Sequence, residues 1–142
     1  MKALKYNQFI NEQIGTADNS YAAFFVSVLG IRAQAHLYHW QTEAYSTHVA
    51  LGGFYDAYIL LVDKLVEAIL GKGNRPQVGK AIIELNDYSE ENVQLLIEDI
   101  NNLFKSSGLE IAGENTEIVN IIDEIIAEAD KLKYLLTLKW NQ

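Results

Sequence analysis

Apolar residues recur along this chain at three- and four-residue intervals in four separate stretches, the spacing that lines one face of an α-helix. The first stretch, roughly Ser20 to Trp40, is apolar nearly all round. Tyr21, Phe24, Phe25, Val28, Leu29, Ile31, Leu37 and Tyr38 leave no broad polar face, so a helix here needs cover on two sides. Asp18, Asn19 or Ser20 can cap its start. The second, about Thr47 to Leu70, follows a cap candidate at Ser46 or Thr47. It repeats Tyr55, Tyr58, Ile59, Val62, Leu65, Val66 and Ile69, and Gly71 and Gly73 are its stop. The third opens at Ser89, with Glu90 and Glu91 in the first turn where acids complement the helix dipole. It continues through Val93, Leu96, Ile97, Ile100, Leu103 and Phe104 to a stop signal at Ser106-Ser107-Gly108. The fourth, capped by Asn115 or Thr116, sets Ile118, Ile122, Ile125, Ala129, Leu132 and Leu136 on one face to the C-terminus.

The connections arrange these helices. About six residues join the first pair and about eight the last pair, both short enough for antiparallel neighbours. The eighteen residues from Gly71 to Tyr88 can travel the length of a bundle, and Ala81 to Leu85 within them predict a short extra helix. The expectation is an all-α, ferritin-like four-helix bundle with one long crossover between the second and third helices. It forms a single domain over residues 1–142, with residues 1–15 as an N-terminal extension.

Composition narrows the chemistry. Lysine and arginine total 11 against 19 aspartates and glutamates, a net charge of −8 that argues against nucleic acid or anionic lipid as partners. With no cysteine, disulfides, zinc ribbons, iron–sulfur clusters and thiol catalysis drop out, and metal chemistry falls to histidine and carboxylate. No run approaches the ~18 apolar residues that a membrane span needs. Met1 to Ile10 carries no apolar signal core, so a cytoplasmic protein is expected.

The candidate chemistry lies in the first helical pair. His36 and His39 end the first helix and His48 begins the second, so the short hairpin brings all three to one end of the bundle. Asp63 and Glu67 stand at i and i+4 on the second helix, on one face. They read equally as metal-binding carboxylates or as solvated acids with Lys64 as ion-pair partner. Together with imidazole, carboxylates suit a metal such as iron. From His48 to Asp63 is about 22 Å of helical rise at ~1.5 Å per residue, with an angular offset of only about 60°. The two groups share a side but not an ion. If they serve one metal, they come from different chains packed antiparallel across a two-fold axis, and each dimer holds two equivalent sites. The over-apolar first helix and exposed Tyr55 and Tyr58 fit such a contact. An intra-chain di-iron centre would need glutamate three residues before histidine on two helices. Here Ala33, His36 and Tyr45 occupy the positions three before the histidines.

These residues resemble the Dps family of bacterial mini-ferritins. His36-Leu37-Tyr38-His39-Trp40 is similar to the His-x-Phe/Tyr-His-Trp signature that ends that family's first helix. His48 matches its second histidine, and Val62-Asp63-Lys64-Leu65-Val66-Glu67-Ala68-Ile69 matches its Val-Asp-x-Ile-Ala-Glu-Arg-Ile motif. The likeness runs from Ile31 to Gly73. It implies a ferroxidase site between subunits, His39 and His48 from one chain facing Asp63 and Glu67 of its two-fold mate, in a homo-oligomer that reaches a dodecameric shell. It also implies Trp40 as a nearby electron donor. The loop from Trp40 to Thr47 is shorter than in the family and lacks its Gly-Pro. The acid found one turn after the second histidine is replaced by Gly52, beside Gly53. Two glycines inside a helix cost on the order of 1 kcal/mol each and point to close backbone approach, as at a subunit contact. Asp56, a turn further on, can substitute for the missing acid through water. The family's lysine-rich tail is absent, since only Lys2 and Lys5 stand near the N-terminus, so no DNA binding is expected. The opening Met1-Lys2 to Gln8-Phe9-Ile10-Asn11-Glu12 resembles the leader of proteins packaged in T4-like phage heads, which would place the chain in host cytoplasm or virion.

The leading expectation is a ferroxidase and iron store that oxidises Fe(II) with peroxide or oxygen, with zinc or manganese as alternative metals. The competing one is a non-enzymatic ferritin-like bundle of structural or virion-associated role. A metal-free interaction module comes third.

Overall fold

The computed structural model describes residues 19–138. They form four helices and no strand: α1 Asn19–Gln41, α2 Tyr45–Gly71, α3 Glu90–Leu103 and α4 Thr116–Leu135. The described residues are therefore all-α, as the periodicity predicts. No described helix is long and apolar enough to cross a membrane.

Helix ends follow local chemistry in part. Ser89 caps α3, its hydroxyl accepting from the Asn92 N–H at 2.9 Å. The caps expected for α2 and α4 differ, and Asp18, a cap candidate for α1, lies outside the described residues. α2 begins at Tyr45, ahead of Ser46 and Thr47, on Ala44 with no side-chain cap; the Thr42 hydroxyl instead accepts from the Ala44 N–H within the turn. At α4 the Asn115 side chain makes no capping bond, and its carbonyl accepts from the Ile118 and Val119 N–H groups. The connections are shorter than expected, since residues 42–44 suffice between α1 and α2.

The stop at Ser106-Ser107-Gly108 does not act. The helix continues through a π turn, Phe104–Gly108, and an α turn, Leu109–Ala112, before Gly113 ends it at φ 54°. Gly108 keeps right-handed geometry and is buried, and a Cβ there would already touch Ile122, Phe104 and Phe24 at 3.4–3.6 Å. The Ser106 hydroxyl donates back to the Asn102 carbonyl, so it does not compete for a turn. Only residues 113–115 remain between the two helices.

The long crossover is an extended strap, and the helix expected at Ala81 to Leu85 does not form. Val78, Ala81 and Ile83 pack on Ala22, Ala23 and Val26 of α1, whereas Ile82 between them is about half exposed. From Ala81 to Ile83 the side chains alternate in and out, which an extended chain satisfies and a helix cannot. Further along, the buried Gln34 amide donates to the Asn86 carbonyl and accepts its N–H, both at 2.8 Å. Gln41 repeats the pattern, accepting from the Tyr88 N–H and donating to the Asp87 carboxylate. α1 thus supplies the hydrogen bonds that a neighbouring strand would give. These contacts run in order from the start of α1 to its end, so strap and α1 are parallel. The strap delivers α3 to the end where α2 begins; α2 and α3 run the same way and α4 returns.

The core lies between the four helices around Phe24, Tyr38, Leu51, Tyr58, Leu65 and Phe104. Phe104 meets the ring edges of Phe24 and Tyr58 at centroid separations of 5.7 and 6.3 Å. Tyr58 is fully buried and its hydroxyl donates to the Val28 carbonyl at 2.9 Å, which corrects its expected exposure. Burial holds its phenol well above the ordinary tyrosine range. Tyr38 is pushed up to about 12, by burial first and then by the negative charges of Asp99 and Asp87.

Candidate functional site

The turn between α1 and α2 brings His39, in the last turn of α1, against His48, in the first turn of α2. Their imidazoles stack with centroids 3.8 Å apart and planes 14° from parallel. Each ring also bonds to the other residue's main chain: His39 Nδ1 to the His48 carbonyl and His48 Nδ1 to the His39 carbonyl, both at 2.7 Å. A carbonyl only accepts, so each Nδ1 carries a hydrogen, and in the neutral ring the lone pair rests on Nε2. The His39 carbonyl belongs to the helix end, where carbonyls run out of backbone donors, and His48 supplies the missing one. Metal-binding histidines are commonly oriented through a bond of this kind on the second nitrogen.

Gly52 explains how the rings come so close. A Cβ built on Gly52 would lie 2.9 Å from His39 Cε1 and 3.3 Å from its Nδ1, whereas one on Gly53 would meet nothing within 4 Å. The close approach predicted by these two glycines is thus from the chain's own His39 at Gly52, and Gly53 faces open space.

His36 stands apart from the pair. Its ring lies 4.2 Å from Trp40 and stacks on Tyr55 at 4.2 Å, while His39 is 6.2 Å away. Tyr55 is half-buried under that stack and Trp40 is exposed. Tyr45 adds a ring 6.3 Å from His48 at the other side. The result is a continuous row of rings along the α1–α2 face. Among the described residues, no three or more histidines, aspartates and glutamates gather closely enough to hold a metal ion.

Asp56, Asp63 and Glu67 are exposed on α2. The ion pair found among the described residues joins Lys72 and Glu117, so the expected pairing of Lys64 with these acids is not seen. Because α2 is unbroken from Tyr45 to Gly71, the rise from His48 to Asp63 is the full helical ~22 Å. Asp63 and Arg32 flank a groove of about 170 Å³ between α1 and α2, with Phe25, Val28, Ile59 and Val66 in its lining. A wider hollow, about 620 Å³, lies at the end of the bundle among Glu43, Tyr45, Tyr88, Glu90 and Glu91, and contains no histidine.

Gln34 and Tyr45 are features that spacing alone did not single out. Gln34, an amide set between Ala33 and Ala35 on α1, carried a readable signal; Tyr45 did not.

A bundle of this kind, with a histidine pair at one hairpin and acids at the other end of the same helix, defines a class rather than a function. The chain belongs to the family of unknown function DUF5856, which matches residues 39–136 and so takes in His39, His48, Asp63 and Glu67. No curated protein and no solved structure matches it.

Proposed function

We propose that this protein is a Dps-like iron-binding protein that oxidises Fe(II) at sites shared between two copies of the chain. The observation that carries this reading is the reciprocal bonding of His39 and His48, which commits both Nδ1 atoms and leaves both Nε2 atoms as donors. Imidazole nitrogen and carboxylate oxygen are a fitting donor set for iron. The path of the chain, with α1 and α4 running one way and α2 and α3 the other around a long crossover, supports a ferritin-like bundle.

A two-fold axis crossing α2 near Asp56, midway between His48 and the Asp63/Glu67 pair, sets each chain's imidazoles level with the other's acids. The apolar groove beside Asp63 and the exposed Leu29 and Leu60 are surface that such a contact covers. Asp56 lies near the axis, where it serves through water. His36, held by Trp40 and Tyr55, orients the ring row beside the donors. Iron is the substrate: two Fe(II) give up one electron each and become Fe(III), and one hydrogen peroxide takes both electrons with two protons from water and leaves as two waters. Where a single Fe(II) reduces peroxide by one electron and leaves a hydroxyl radical, Trp40, its ring 4.2 Å from that of His36, is the electron donor of this reading and the radical leaves as hydroxide. The net charge of −8 draws cations toward the protein. The reading places the protein in the cytoplasm, or in a virion.

A second reading is favoured by the same hydrogen bonds. A pair that closes the α1–α2 hairpin, with Gly52 where the resembled family has an acid, also serves a non-enzymatic bundle. Anaerobic Fe(II) titration with the oligomer mass measured alongside separates the two. Saturable binding lost in both His48→Ala and Asp63→Ala supports the shared site; no saturable binding by the wild type supports the structural clamp.

A further inference from the structure

We propose that Gly52 is a positioning residue for His39: its missing side chain is the space in which the imidazole lies, and this sets the direction of His39 Nε2. This rests on the reading of His39 and His48 as metal donors and extends it to a residue that touches no metal.

The argument is steric. The His39 ring presents its Cε1–Nδ1 edge to the α2 backbone at Gly52, closer than any side chain at that position allows. The ring cannot simply swing aside, because Nδ1 is bonded to the His48 carbonyl at 2.7 Å and the ring face is stacked on His48 at 3.8 Å. Moving the ring to accept a methyl group breaks the hydrogen bond, the stack, or both. Gly52 and His48 are one helical turn apart, so a single stretch of α2 provides the stacking ring, the accepting carbonyl and the gap. Any residue other than glycine, an acid included, displaces His39.

Gly53 supplies the control, since it sits in the same helix with nothing within 4 Å of a Cβ. Both Gly52→Ala and Gly53→Ala raise helix propensity, so lost folding does not explain a difference between them. The experiment compares wild type, Gly52→Ala and Gly53→Ala by imidazole ¹⁵N NMR and by titration with Co²⁺ alone. The expected result is a protected Nδ1–H on His39 in wild type and Gly53→Ala and its loss in Gly52→Ala, with Co²⁺ affinity falling about tenfold or more only in Gly52→Ala. Unchanged His39 signals in Gly52→Ala overturn the proposal, as does unchanged Co²⁺ affinity with the ring displaced. If wild type takes up no Co²⁺ while the ring signals still respond to Gly52→Ala, the placement of His39 by Gly52 is supported and the metal reading of the pair falls.

Discussion

His39 and His48 hold each other by the main chain: each imidazole donates to the other's carbonyl at 2.7 Å while the rings stack at 3.8 Å. The hairpin between α1 and α2 is thus closed by two hydrogen bonds that depend on one geometry. Either substitution by alanine removes the stack and with it the geometry on which both hydrogen bonds depend, at a cost of about 1 kcal/mol. Because the two bonds stand or fall together, the double variant costs much less than the sum of the singles. Urea denaturation of the four proteins measures this; additive losses would contradict the reciprocal clamp.

The strap makes a separate prediction. Gln34 is fully buried and satisfies both backbone groups of Asn86. Gln34→Ala leaves that N–H and carbonyl unpaired and costs about 2 kcal/mol. Hydrogen exchange at Asn86 should speed up in the variant while α4 stays protected. Unchanged exchange at Asn86 would mean that the strap is held elsewhere.

Alkaline pH supplies a third. Tyr38 and Tyr58 both have phenols raised above the ordinary value of 10.0, Tyr38 to about 12. A folded value above the unfolded one means that the unfolded chain releases the proton first. Stability is therefore full below about pH 10 and falls as pH rises toward 12. Tyr38→Phe should flatten that fall, measured as the thermal midpoint between pH 9 and 11.5. An equally steep fall in the variant would show that Tyr38 contributes nothing to it.

Much of this was legible in the chain, for reasons that particular residues make plain. The four helices follow from apolar spacing, and the histidine pair follows from a turn too short to separate His39 from His48. The strap was hidden because Ala81 to Leu85 lacks glycine or proline to argue against a helix, and only α1 beneath it reveals the alternation of Ala81, Ile82 and Ile83. Tyr55 and Tyr58 lie about 60° apart on α2, and packing alone decides that one stacks on His36 and the other enters the core. Gly52 announced a close approach, but its neighbour, on a different helix, became visible only with His39 folded against it. Which imidazole nitrogen is free is likewise a property of the tertiary hydrogen bonds.

The shared site is tested most directly by mixing chains. His48→Ala and Asp63→Ala proteins are unfolded together, refolded and titrated anaerobically with Fe(II). In a two-fold dimer the mixed pair rebuilds one of its two sites from the intact His48 of one chain and the intact Asp63 of the other. Random pairing therefore restores about a quarter of wild-type binding, although neither parent binds. Recovery at that level is the predicted result. No recovery, with mixed dimers shown to be present by mass, would contradict a site built from two chains.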